Sequence, residues 1–243
     1  MKKFELTSEF VTFLGKKLFR IKALISFGNV KEGELGGYVE KEENLDQSGD
    51  AWVYGNARVY GNAWVSGDAR VSGDAEVSGN AWVSGDARVS GNAWVSGNAW
   101  VSGNARVYGN AWVSGNARVY GNAWVSGDAR VSGDAEVSGD AWVYGNARVY
   151  GNAWVSGNAW VSGDAWVYGN ADYATVQGFG SEYRTTTFFR TKAGDIGVRC
   201  GCFYGTLDDF RKKVKETHGD SKTAKEYLMV ADLMEFRFSE EEV

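Results

Sequence analysis

The 243-residue chain has no proline, a single histidine, His218, and only two cysteines, Cys200 and Cys202. Each shortage removes a class of explanation. Cysteines two positions apart on an extended strand are poorly placed to bridge to each other, so a disulfide framework is excluded. A closed zinc site needs four ligands, and Cys200-Gly201-Cys202 offers two soft ones with one histidine to help. The pair therefore reads as buried and structural, and no metal or cofactor is expected. No apolar run approaches the roughly 20 residues that cross a bilayer, and the opening Met1-Lys2-Lys3-Phe4-Glu5-Leu6-Thr7-Ser8-Glu9 lacks the apolar stretch of a signal peptide. The expectation is a cytoplasmic protein with no membrane partner. A net charge of −5 with 23% charged residues is that of an ordinary soluble chain.

What the sequence has in abundance is repetition. Residues 51–170 are one phrase, Ala-x-Val-(Ser or Tyr)-Gly-(Asn or Asp), written twenty times without insertion or deletion. Six residues cannot bury a hydrophobic face alone, so the units must stack into a solenoid with a core running along its axis. Ala and Val sit two apart and project to one side of a strand, while the variable residue between them projects to the other. Gly followed by Asn or Asp tolerates positive φ at a tight corner. Each hexad is therefore a short strand and a bend, and stacking at about 4.8 Å gives parallel sheets with ladders of identical side chains. Asn at the corners is expected to hydrogen-bond along the axis.

The phrase resembles the hexapeptide repeat of left-handed parallel β-helices, with Val53 and Ala57 as an inward pair. The resemblance implies a left-handed single-stranded helix with three hexads per coil, hence a little under seven coils and a rod about 32 Å long at that spacing. The flanks extend it. Phe27-Gly28-Asn29-Val30, Gly36-Gly37-Tyr38-Val39, Asn44-Leu45 and Gly49-Asp50-Ala51-Trp52-Val53 look like the lead-in of a bacterial and prophage group of such proteins. Thr186-Thr187-Phe188-Phe189, the stretch from Cys200 to Leu207 and Glu216-Thr217-His218-Gly219 are similar to a tail found in prophage proteins of Firmicutes. The group is distantly similar to acyltransferase-like β-helix proteins, which place a histidine base between subunits beside a loop interrupting the coils. Here the coils carry no histidine and no interruption, and His218 lies at the end of a predicted helix. An acyltransferase-like enzyme is accordingly the alternative to a non-enzymatic reading.

Loss of the pattern at either end divides the chain into an N-terminal β cap at 1–50, the β-helix at 51–176 and a C-terminal module at 177–243. In the first, Leu18–Leu24 and Gly36–Val39 alternate as strands. In the last, strands at Thr185–Arg190 and Ile196–Cys200 flank the turn Ala193-Gly194-Asp195 as a hairpin. Thr206 serves as N-cap of a helix with Asp208 and Asp209 in its first turn and Gly219 as its stop, and a second helix runs from near Ser221 to about Leu233. The class is mainly β with an α+β terminal cap.

All eleven tryptophans occupy the variable slot, with seven arginines and two glutamates in the other nine. With three hexads per coil, face one reads Trp52, Arg70, Arg88, Arg106, Trp124, Trp142, Trp160. Face two reads Arg58, Glu76, Trp94, Trp112, Arg130, Arg148, Trp166, and face three Trp64, Trp82, Trp100, Arg118, Glu136, Trp154. The slot predicts that all eleven indoles look outward, and cation–π pairing with Arg a coil away is expected to support the thin core. Runs of three exposed Trp, with the Arg70, Arg88, Arg106 stripe, are the candidate binding ladders. Candidate partners are a second copy of the chain, giving a homo-oligomer, another protein, a glycan stacked on indole, or nucleic-acid bases stacked beside Arg. Nucleic acid is the weaker, because the coils carry seven Arg against nine carboxylates. Residues 57–79 recur letter for letter as 117–139, a shift of ten hexads that moves the copy to another face, which favours a scaffold with specificity in the caps.

Overall fold

The structure, a computed structural model, describes residues 2–180 and 182–239. The N-terminal segment forms β1 (Phe4–Phe13), β2 (Lys16–Ala23) and β3 (Leu35–Val39). Twenty two-residue strands follow, β4 to β23, from Trp52–Val53 to Trp166–Val167. The chain ends in β24 (Tyr173–Val176), β25 (Thr186–Arg190), β26 (Ile196–Cys200), β27 (Phe203–Thr206), α1 (Leu207–His218) and α2 (Lys222–Phe238). Among the described residues no helix is long and apolar enough to cross a membrane.

The hexad strands assemble into three parallel sheets in which each strand pairs with the one three hexads later, as Trp52 with Arg70 and Val53 with Val71. Each coil is thus three hexads throughout. Every Val and Ala of the phrase is buried, and together they form one continuous core. Three amides per hexad donate to carbonyls in the next coil: Trp100 N to Ala117 O at 2.9 Å, Ser102 N to Val119 O at 2.9 Å and Asn104 N to Gly121 O at 2.8 Å. The corner asparagines follow the same direction, Asn80 Nδ2 donating to Asn98 Oδ1 at 3.0 Å and Asn98 Nδ2 to Asn116 Oδ1 at 2.9 Å.

This directionality leaves Ala, Val and Gly carbonyls free at the first coil and amides free at the last, and unpaired backbone groups there must find other partners. The N-terminal cap supplies donors. Tyr38 N and Glu40 N reach Ala57 O and Val59 O at 2.9 and 3.0 Å. The buried Asn44 side chain donates to Gly61 O at 3.1 Å and Ala63 O at 2.8 Å. The Lys3 ammonium donates to the carbonyls of Ser48, Gly49 and Ala51 at 3.0 to 3.2 Å. Burial pushes Lys3 down to about 8, against the pull of Asp46, Asp50 and Asp68. At the other end the chain supplies acceptors instead: Asn170 Oδ1, from the last hexad, for Trp154 N at 2.8 Å, Asp172 Oδ2, just after it, for Tyr168 N at 2.8 Å, and Thr187 Oγ1, from the C-terminal module, for Trp160 N at 2.9 Å. Phe4, Ile21 and Leu45 close the core at one end and Phe189 at the other.

Several expectations need correction. The C-terminal hairpin is part of a four-stranded antiparallel sheet, and β24, assigned above to the rod, pairs with β25 in that sheet. Ala-Thr-Val-Gln there lacks the Gly-Asn corner that would turn the chain back into a coil. Cys200 ends β26 while Gly201 and Cys202 form the turn into β27, so Cys202 is exposed and the two are not a buried pair. The second helix runs on to Phe238, because Met234 and Phe238 continue its buried face. Thr206 caps α1 as expected, with Asp209 completing a capping box, and Gly219 ends it.

Two substitutions separate what the corner glycine does. Gly97 has φ +71°, and a Cβ there would lie 2.9 Å from the carbonyl oxygen and 3.0 Å from the nitrogen of Gly115, whereas at Gly157, φ +64°, nothing lies within 4 Å. Gly157→Ala should cost about 1–2 kcal/mol from conformation alone. Gly97→Ala should cost distinctly more, because the next coil must move; equal losses in a denaturant melt would remove stacking distance as the limit. Lys3→Met, which strands three carbonyls, should lower stability by about 1–3 kcal/mol in the same assay.

Candidate functional ladders on the coil faces

The outward slot builds its side-chain columns from the register alone. On face three the Trp64, Trp82 and Trp100 rings stack with centroids 5.0 and 5.5 Å apart and interplanar angles of 25° and 12°. Two of the indole N–H groups are directed backward, Trp82 Nε1 donating to Ser66 Oγ at 3.3 Å and Trp100 Nε1 to Ser84 Oγ at 3.4 Å. A Ser in one coil therefore fixes the ring in the next. The three rings remain 38 to 40% exposed and present their edges as one strip.

Face one differs. Trp124, Trp142 and Trp160 stack more tightly, at 4.6 and 5.2 Å, and the column is closed by cations at both ends. The Arg106 guanidinium lies 4.8 Å from the Trp124 ring and that of Arg199, from β26, 5.4 Å from Trp160. These indoles are half-buried as a result, rather than open like those of face three. Arg70 and Arg88 continue the column below Arg106 in register. Arg70 donates to the Asn29 side-chain oxygen at 3.2 Å when that amide is turned to face it. Trp142 and Trp160 also border a recess of about 420 Å³ at the seam with the C-terminal module, where Tyr183 and Arg184 face them.

Trp52, expected to look outward, is fully buried. Phe4 and Phe27 pack edge-on against it at 6.2 and 5.4 Å, because the first coil is where the N-terminal segment lies down on the rod. Expected Arg-to-Trp pairing occurs on face two as well, Arg130 over Trp112 and Arg148 over Trp166, each at 5.2 Å. The two glutamates each sit between an Arg and a Tyr of the preceding coil. Arg58 Nη1 and Tyr60 Oη approach Glu76 at 3.2 Å each, and Arg118 Nη1 and Tyr120 Oη approach Glu136 at 3.6 and 3.0 Å.

His218 ends α1 with its ring 5.8 Å from that of Tyr227. It borders a recess of about 300 Å³ together with Cys200 and Cys202. Burial first, and then the Cys200 thiol, push the Tyr227 phenol up to about 12. Among the described residues, Cys200 Sγ accepts from Thr186 Oγ1 at 3.2 Å and no hydrogen bond joins His218 to either sulfur. Arg199, Arg184 and Tyr183 were not singled out from the sequence. They lie outside the repeat, and only the Val198-Arg199 alternation of a strand hints that Arg199 points away from its own core.

Residues 51–67, 69–85, 83–97, 87–103, 99–115, 111–127, 129–145 and 141–157 match the YdcK beta-solenoid repeat. The chain is a β-solenoid repeat protein. No curated protein matches it. All matched stretches lie in the hexads, so the match covers the ladders and neither cap.

Trp142 is the middle ring of the face-one stack. Trp142→Ala should remove two stacking contacts and lower stability by about 1–3 kcal/mol. Near-UV circular dichroism should lose the signal of coupled indoles along with the shift in melting midpoint; a melt unchanged from the parent would show that the stack contributes nothing.

Proposed function

We propose that the solenoid is a non-enzymatic binding scaffold, a rigid rod that engages a protein partner or a second copy of itself through its outward ladders. The observation that carries this reading is the Trp64, Trp82, Trp100 strip. Three parallel indoles at 38 to 40% exposure, on a frame fixed by backbone hydrogen bonds in every coil, form an apolar surface that needs little ordering on association. Trp is also the residue most often found to dominate interfaces. The resemblance of both flanks to prophage proteins supports a phage-borne role, and the cytoplasm is the compartment proposed for it.

Replacing Trp64, Trp82 and Trp100 together by Arg tests the reading in the full chain. The coil accepts Arg in this slot, since Arg70, Arg88 and Arg106 already stack in register on face one. Light scattering across a concentration series and capture from bacterial lysate should both show association for the parent and its loss in the variant, with the β-sheet signal in far-UV circular dichroism retained. Association equal in the two proteins would refute an interface on face three. Thioester cleavage that disappears in His218→Ala would instead establish the acyltransferase-like alternative.

A further inference from the structure

The duplicated segment offers an internal comparison. In the first copy, the trio Arg58, Tyr60, Glu76 is covered by the N-terminal hairpin. Phe13 lies with its ring 4.4 Å from the Arg58 guanidinium and 5.9 Å from the Tyr60 ring, at 65°. Burial raises the Tyr60 phenol above its ordinary value. Side-chain exposure of Arg58 and Glu76 falls to 26% and 20%.

In the second copy the same trio, Arg118, Tyr120, Glu136, stands on face three, and among the described residues no hairpin covers it. Among the described residues no ring lies over Arg118 or against Tyr120, and Arg118 and Glu136 are 57% and 31% exposed. Instead there is a recess of about 250 Å³ bounded by Trp100, Ser102, Arg118, Tyr120 and Glu136. Trp100 is the last indole of its stack: it pairs in register with Arg118, so the next rung above it has no ring. The recess is smaller than the ~300–1,000 Å³ of pockets that enclose a whole drug-sized ligand, which suits one side chain rather than a larger molecule.

We propose that this recess binds an aromatic side chain of a partner peptide, seated as Phe13 is in the first copy. The ring lies against the free side of Trp100, with the Arg118 guanidinium over its face and Tyr120 at its edge, while Glu136 holds Arg118 in place. Phe13 is a benzyl group and reaches its trio on a polypeptide, so the occupant is a phenylalanine-type side chain on a peptide and not a sugar. This rests on face three being the binding face, and it adds which residue type that face recognises.

Ser102→Tyr provides the test. Tyr occupies the equivalent position in Tyr108 and Tyr120, so the coil tolerates it, and from position 102 it would fill the recess beside Arg118. The probe is N-acetyl-phenylalaninamide, compared with N-acetyl-leucinamide and methyl glucoside, read by the indole N–H resonances of the full chain. The phenylalanine probe should shift the Trp100 resonance with half-saturation in the roughly millimolar range set by so small a ligand. Ser102→Tyr should abolish the shift, and Arg118→Ala should weaken binding roughly two- to fivefold, as loss of one cation–π contact implies. No Trp100 shift, an equal shift with the leucine or glucoside probe, or binding undiminished in Ser102→Tyr would each overturn the proposal. The two readings fail separately: no probe binding, with partner capture still lost when the three indoles become Arg, removes the recess and leaves the ladder interface standing.

Discussion

The spacing between coils governs this molecule. It is set by amide-to-carbonyl bonds of 2.7 to 3.2 Å that recur from one coil to the next, and every other layer of the structure has to accept it. At the corners two backbones pass so close that only glycine fits between them. In the interior the spacing stacks Val on Val and Ala on Ala. Outside, it places ring on ring at 4.6 to 5.5 Å, which is within the range that offset aromatic stacking favours. The surface indoles are thus more than tolerated, because the backbone delivers them at a separation where they attract.

The same spacing makes the ladders depend on which atoms can donate. An Asn at a corner accepts from the coil before it and donates to the coil after it, whereas Asp only accepts. Runs of Asn accordingly end at Asp, as in Asn98 to Asn116 to Asp134 and Asn104 to Asn122 to Asp140. Glutamate in the outward slot is handled similarly, with an Arg and a Tyr of the preceding coil supplying the donors. The exposed pairs contribute little individually. Their value lies in keeping each column in a single arrangement.

The hexad made most of the rod legible before any coordinates. Val and Ala inside, three hexads per coil, the composition of each face and the Arg-over-Trp contacts all follow from a period that survives without interruption. What was not legible lies where the period stops. Trp52 carries the same slot as the other indoles, and nothing in its own hexad says that Phe4 and Phe27 will enclose it. The closed end of the face-one stack depends on Arg199, which comes long after Trp160 in the sequence and belongs to a different sheet. Phe13 and Arg58 meet because a hairpin bends back over the first coils. These are non-local contacts between dissimilar elements, for which a repeat contains no signal.

That division bears on where recognition can reside. A segment moved by ten hexads lands on another face and still rebuilds its own Arg, Tyr and Glu contacts, because all of them are made between adjacent coils of identical geometry. Interactions wholly within the coils are therefore portable and cannot distinguish one stretch of rod from another. Distinction arises where a column is interrupted, as at Trp100, where the indoles give way to Arg118; at Trp160, where Arg199 closes the stack; and at Arg58, where Phe13 packs on the guanidinium. These breaks differ from one stretch of rod to the next, whereas the hexad backbone repeats one geometry on all three faces.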